Sequence, residues 1–231
     1  MGMAQYDPRK HRRQSTRLRG YDYTQDGEYF VTICARGREC LFGDVSQETM
    51  NLSGVGCIVA ECWKRIPQHF EDVRCDVFQV MPNHVHGIIT LPGRPRTPVG
   101  TRHAVSLQKT AHVSAFGRPV RRSLATIVGS FKSAVTNRAH IAGLVQGPVW
   151  QSRFHDRIIR DDIERFFIEL YIELNPLLWE LDPENSTRRP FSADEIRRLL
   201  ESQHGLAAPV IEWFINEKIG ERWASDAGDP T

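Results

Sequence analysis

Residues 76–91 read DVFQVMPNHVHGIITL, two apolar runs with Met-Pro-Asn between them. Proline removes a ladder donor and keeps the residue before it out of helical geometry, so the stretch is not one continuous strand or helix. It turns at 81–83, which predicts a hairpin of strands at 76–80 and 84–91. Two more segments, EYFVTICARG (28–37) and VWQSRFHDRII (149–159), are rich in β-branched and aromatic residues and predict strands. Between the first strand and the hairpin, Ser53 can cap a helix whose Val55, Ile58, Val59, Cys62, Trp63 and Ile66 recur at helical spacing. After the hairpin, Ser123 opens LATIVGSFKSAVTNRAHI, with Leu124, Ile127, Val128, Phe131 and Val135 on one face. Asp161 or Asp162 caps IERFFIELYIELNPLLWEL, where Ile163, Phe166, Phe167, Leu170 and Leu174 form the expected core stripe.

The order β-α-β-β-α-β-α predicts an α+β chain with a ferredoxin-like split βαβ fold. That is a four-stranded antiparallel sheet with helices on one face, plus a C-terminal helix and a small helical tail. The expected organisation is a basic flexible arm at 1–20, a main domain at 21–185 and an acidic helical tail at 186–231. A long Gly/Pro-rich loop at about 92–120 lacks periodicity, and loops of that length in compact domains are usually functional or disordered.

Charge is distributed unevenly along the 231 residues, whose net charge is only +2. Residues 94–160 hold twelve Lys/Arg against one acid, whereas 161–231 hold seven against sixteen. A basic centre in a near-neutral chain points to a polyanion such as nucleic acid held by one face. From charge alone, the acidic tail is expected to lie over that face as an autoinhibitor. The five cysteines are odd in number and without CxxC spacing, so reduced thiols and a cytoplasmic location are expected. No apolar stretch is long enough to span a bilayer.

In a strand, residues i and i+2 share a face, so His84 and His86 stand side by side, about 7 Å apart along the backbone. That suffices to share one ion, although an HxH pair is incidental in most proteins. Gly87 is expected to leave room for backbone or DNA to approach. Tyr171 and Asn175, four apart in YIELNP, share a helix face. Tyr171 reads equally as a core-edge tyrosine, and Asn175 as a C-cap before Pro176.

His84-Val85-His86 resembles the HUH motif of single-strand nucleases. RLRGYDYTQDGEYFVTICARGRECLFG, VMPNHVHGII, SFKSAVT, VWQSRFHDRII and YIELNPLLWELDPEN, in that order, resemble the REP-associated tyrosine transposases. The resemblance runs from about Arg17 to Asn185. It implies that His84 and His86 are metal ligands, that Asn175 supplies a third ligand and that Tyr171 is the nucleophile. Where some relatives carry Tyr, this chain has Phe154, which leaves Tyr171 as the only tyrosine after Tyr29. The implied cofactor is Mg²⁺ or Mn²⁺, though two imidazoles and an amide also suit zinc by softness. The implied partner is single-stranded DNA with a hairpin or palindromic repeat. Arg94, Arg96, Arg102, Arg118, Arg121, Arg122 and Lys132 could track its backbone, and Arg12, Arg13, Arg17 and Arg19 could reach a groove. Monomer and homodimer are equally compatible.

Three other readings compete with this one. A two-histidine phosphoesterase would use His112-Val113-Ser114 but needs Thr or Ser where His86 stands. A metal-dependent hydrolase could keep Tyr171 as a structural residue. A non-catalytic protein could retain the fold to bind palindromes.

Overall fold

The computed structural model describes residues 26–92, 123–187, 192–202 and 205–216. The main sheet has four antiparallel strands: β1 (Gly27–Cys34), β4 (Arg74–Val80), β5 (His84–Leu91) and β6 (His155–Ile159). Their order is β4-β5-β1-β6. The chain leaves β1, skips one strand position to lay down β4, and fills the gap with β5, which is the split βαβ arrangement. The antiparallel register puts Thr32 opposite His86 and Cys34 opposite His84.

Helices cover both faces. α1 (Gly54–Lys64), α2 (Ile66–His69) and α3 (Leu124–Ile141) lie on the face that carries Tyr29, Val31, Ile33, Val85 and Ile89. The Ser53 hydroxyl accepts the Gly56 N–H at 3.1 Å and Ser123 accepts that of Thr126 at 3.2 Å, so both expected caps form. On this face Gly87 is the close fit. A Cβ there would stand 2.3 Å from Cζ2 of Trp63, so the glycine makes room for an indole, not for backbone or DNA.

Strand alternation sends Phe30, His84, His86 and Ile88 to the other face. There α4 (Asp162–Leu174) packs with α5 (Ala193–Ser202) and α6 (Ala208–Phe214). Asp161 Oδ1 accepts the Glu164 N–H at 2.8 Å. The Glu164 carboxylate in turn binds Arg157 of β6 at 2.7 Å and the Arg160 N–H at 2.8 Å, which aims the helix back across the sheet. Arg165 then pairs with Glu28 of β1 and with Asp76 of β4 at 2.9 Å.

Several expectations need correction. A small hairpin, β2 (Gly43–Ser46) and β3 (Thr49–Leu52), precedes α1 and was not expected. Its turn puts Gln47 and Glu48 at φ 49° and 59°, where glycine or asparagine is the usual marker. The first strand ends at Cys34, not at Gly37, because a 3-10 turn at Arg36–Arg38 with φ +64° at Gly37 takes over. The strand expected over 149–159 is ladder only from His155, with Trp150 making one bridge to Ala35. On α4 the buried stripe is Ile168, Tyr171, Ile172 and Asn175, whereas Ile163 and Phe166 are exposed. The arm at 1–20 and most of the loop at 92–120 lie outside the described residues.

Candidate metal centre

The turn at 81–83 is held from three sides. Met81 N–H donates to the His84 carbonyl at 2.8 Å, Phe42 N–H to that of Pro82 at 2.9 Å and Ala35 N–H to that of Asn83 at 2.7 Å. β5 thus begins rigidly, with the two imidazoles side by side at a ring separation of 4.3 Å. His86 stacks on Phe30 at 5.3 Å, its Nδ1 lies 3.0 Å from Thr32 Oγ1, and its Nε2 lies 3.2 Å from the Tyr171 hydroxyl. α4, packed on the sheet, therefore brings the expected nucleophile to one of the expected ligands.

A third residue joins them. Beyond α4 a 3-10 turn at Trp179–Leu181 delivers Asp182, whose Oδ1 accepts the Glu184 N–H at 2.6 Å. Its Oδ2 lies 3.8 Å from His84 Nε2 and 3.9 Å from His86 Nε2. Burial alone would push the Asp182 carboxyl up. The close approach of the His84 and His86 rings and the Glu184 N–H reverse that and hold it well below the usual carboxylate range.

Ligand atoms of His84, His86 and Asp182 all fall within 4.8 Å of one another. Metal–ligand bonds of about 2.1 Å place two donors at most about 4.2 Å apart, so both the 3.8 and 3.9 Å gaps can hold one ion. Asp182 Oδ2 has no hydrogen-bond partner among the described residues, nor has either polar atom of the Asn175 amide. Buried polar atoms are rarely left so. Two imidazoles, a carboxylate oxygen and an amide oxygen form a donor set suited to a divalent cation, and the residues fit one.

Asp182 is the residue sequence reasoning missed. LDPEN looks like an ordinary turn, and only the chain reversal across 176–181 carries it back to the histidines. Asn175 is buried at the C-cap of α4, one turn beyond Tyr171, as expected. Lys132 lies on α3, in the helical layer on the opposite face. Its ammonium donates to the carbonyls of Gln151 at 2.8 Å and Arg153 at 2.9 Å, tying α3 to the segment that leads into β6. Arg12, Arg13, Arg17, Arg19, Arg94, Arg96, Arg102, Arg118, Arg121 and Arg122 all lie outside the described residues, as does His112.

The centre is sealed: His84 is 0% exposed, His86 3% and Tyr171 5%. Trp179 stands 6.1 Å from the His84 ring, and Trp213 of α6 stands 6.3 Å from the Tyr171 ring. No helix among the described residues is long and apolar enough to cross a membrane.

No family model matches the chain. A Haemophilus influenzae protein described only as "Uncharacterized protein" is 39% identical over 181 residues, which span 77% of this chain and 95% of that one. Among solved structures, a REP-associated tyrosine transposase bound to a REP hairpin aligns with a TM-score of 0.46 and 19% identity, over 71% of this chain and 73% of that one. A putative transposase from Deinococcus radiodurans aligns with a TM-score of 0.37 and 18% identity, over 68% and 95%.

Proposed function

We propose that this chain, which belongs to the same family as the Haemophilus influenzae protein, is a metal-dependent single-strand DNA endonuclease and strand transferase of the REP-associated tyrosine transposase type. The observation that carries the reading is the Tyr171 hydroxyl, 3.2 Å from His86 Nε2 at the edge of the buried His84–His86–Asp182 cluster. The quoted sequence motifs supply the family resemblance on which the substrate rests.

A phosphodiester resists attack because its charged oxygens repel nucleophiles. His84, His86 and Asp182, with Asn175 beside them, would hold a divalent ion such as Mg²⁺ or Mn²⁺, which would supply positive charge against those oxygens. Tyr171 does the covalent work. Its phenol ionises more readily than an aliphatic alcohol, and Oη attacks phosphorus as the P–O3′ bond breaks, leaving a phosphotyrosine and a free 3′-hydroxyl. The linkage retains the energy of the diester, so a second 3′-hydroxyl can reverse the step and join a new strand.

Substrate enters once α6, whose Trp213 stands against the Tyr171 ring, moves aside, with Asp182 kept in place. The depth of Tyr171 favours a second reading, a protein that binds palindromic DNA without cutting it. Incubation with hairpin-bearing single-stranded DNA and Mn²⁺, followed by a denaturing gel, separates the two. A covalent adduct absent from Tyr171→Phe supports the first reading. Binding without any adduct, over a panel of palindromes, supports the second.

A further inference from the structure

Asn83 is wholly buried and uses three hydrogen-bonding positions. Its Nδ2 donates to the carbonyls of Glu184 at 2.8 Å and Arg38 at 3.2 Å. Its Oδ1 lies 2.8 Å from His84 Nδ1. These bonds settle which way the side chain points. A carbonyl oxygen only accepts, so the end of the amide that meets two carbonyls must be the NH₂. The other end is then an oxygen, which also only accepts, and His84 Nδ1 must carry the proton that bridges to it. The second ring nitrogen, Nε2, is left as the one that faces Asp182.

The bonds also close a ring. From His84 Nδ1 the path runs to Asn83, on to the Glu184 carbonyl, through the Glu184 peptide to its N–H, and to Asp182 Oδ1. The remaining gap is the 3.8 Å between Asp182 Oδ2 and His84 Nε2. One amide thus binds the histidine and the strap that carries the carboxylate. A partner on the outer nitrogen of a ligating histidine fixes its tautomer and ring orientation.

We infer that Asn83 is a positioning residue that locks His84 as its Nδ1-protonated tautomer and holds Nε2 toward Asp182. The consequence for an ion rests on the metal-site reading above; the tautomer does not. Asn83→Ala removes the acceptor and both donors, and is expected to free the ring to exchange tautomers. Mn²⁺ affinity should then fall roughly 10- to 100-fold, the usual loss when an outer partner of a ligand is removed.

Two measurements test this. The first is a long-range ¹H–¹⁵N correlation spectrum of the histidine rings in the metal-free wild-type protein, with His84 assigned by its loss in His84→Gln. A protonated Nδ1 is expected, whether or not Nε2 also carries a proton in the metal-free protein; a bare Nδ1 with a protonated Nε2 overturns the inference without recourse to any Asn83 variant. The second is the same spectrum and Mn²⁺ calorimetry on Asn83→Ala, with circular dichroism to verify folding. A folded variant with an unchanged His84 signature overturns the inference. Wild-type protein that takes up no Mn²⁺ yet shows the expected tautomer, lost in Asn83→Ala, upholds Asn83's role and defeats the metal-site reading instead.

Discussion

The two faces of the sheet are built from alternate residues of the same strands but serve different ends. Val85, Gly87 and Ile89 point into a core closed by Trp63, Phe131 and Trp150, where the tightest demand is steric: a glycine beneath an indole. His84, His86 and Ile88 point the other way, into a layer that holds the apolar Phe30, Ile168, Ile172 and Leu200 together with the buried Asp182 and Asn175. One face is closed by packing, with the neutral indole N–H of Trp63 left without a hydrogen-bond partner among the described residues. The other keeps a buried carboxylate oxygen and a buried amide without hydrogen-bond partners among the described residues. Such groups persist where a ligand satisfies them, because leaving them unmet is unfavourable.

That contrast can be broken by changes confined to one face. Tyr171→Phe is expected to lower adduct formation on hairpin DNA by at least about a thousandfold, as loss of a nucleophile does. Its melting temperature should stay close to wild type, since only the hydroxyl beside His86 is lost. A large fall in melting temperature would place Tyr171 among the structural residues. Asp182→Asn keeps an acceptor for the Glu184 N–H but removes the charge. Mn²⁺ affinity, read by calorimetry, should drop at least roughly tenfold, because even outer-partner losses reach that size. Unchanged affinity would remove Asp182 from the centre.

On the opposite face the effects fall on stability instead. Gly87→Ala drives a methyl into Trp63 and should destabilise by about 1–3 kcal/mol, measured by urea unfolding, since overpacked cores relax only partly. Near-zero change would mean that Trp63 shifts freely. A pH-dependent effect concerns Lys132, whose pKa burial pulls down to about 8. The unfolded lysine titrates near 10.4, so its contribution to stability is fully present above that pH and is lost as pH falls toward 8. The stability difference between wild type and Lys132→Met should therefore vary across that window and be flat below it. A constant difference would refute the burial effect.

Legibility followed the range of the interactions involved. The β5 strand was readable from its proline-marked start and its apolar run, and its bounds agree with the structure. The caps at Ser53, Ser123 and Asp161 were readable because each acts within three residues. The hairpin at β2 and β3 was not, since Gln47 and Glu48 adopt positive φ without the residues that usually mark such turns. On α4 the most apolar stripe misled. Ile163 and Phe166 face out, while Tyr171 and Asn175, two polar residues, face in. Hydrophobicity identifies the buried side only when what it meets is apolar, and here it meets the histidines.

By itself, then, the sequence determined the order of the main sheet's strands and their helices, the pairing of His84 with His86 on one face and the spacing of Tyr171 from Asn175. All of these follow from backbone periodicity over a few residues. Only the tertiary structure decided that Thr32 lies beside His86, that Asn83 joins His84 to the Glu184 carbonyl, and that Asp182 completes the cluster. Those contacts span from 54 to 101 residues of chain, and no local pattern encodes them. The first comes from the β1–β5 register, and the others arise because burying both faces of the sheet forces the segment after α4 to fold back over the start of β5.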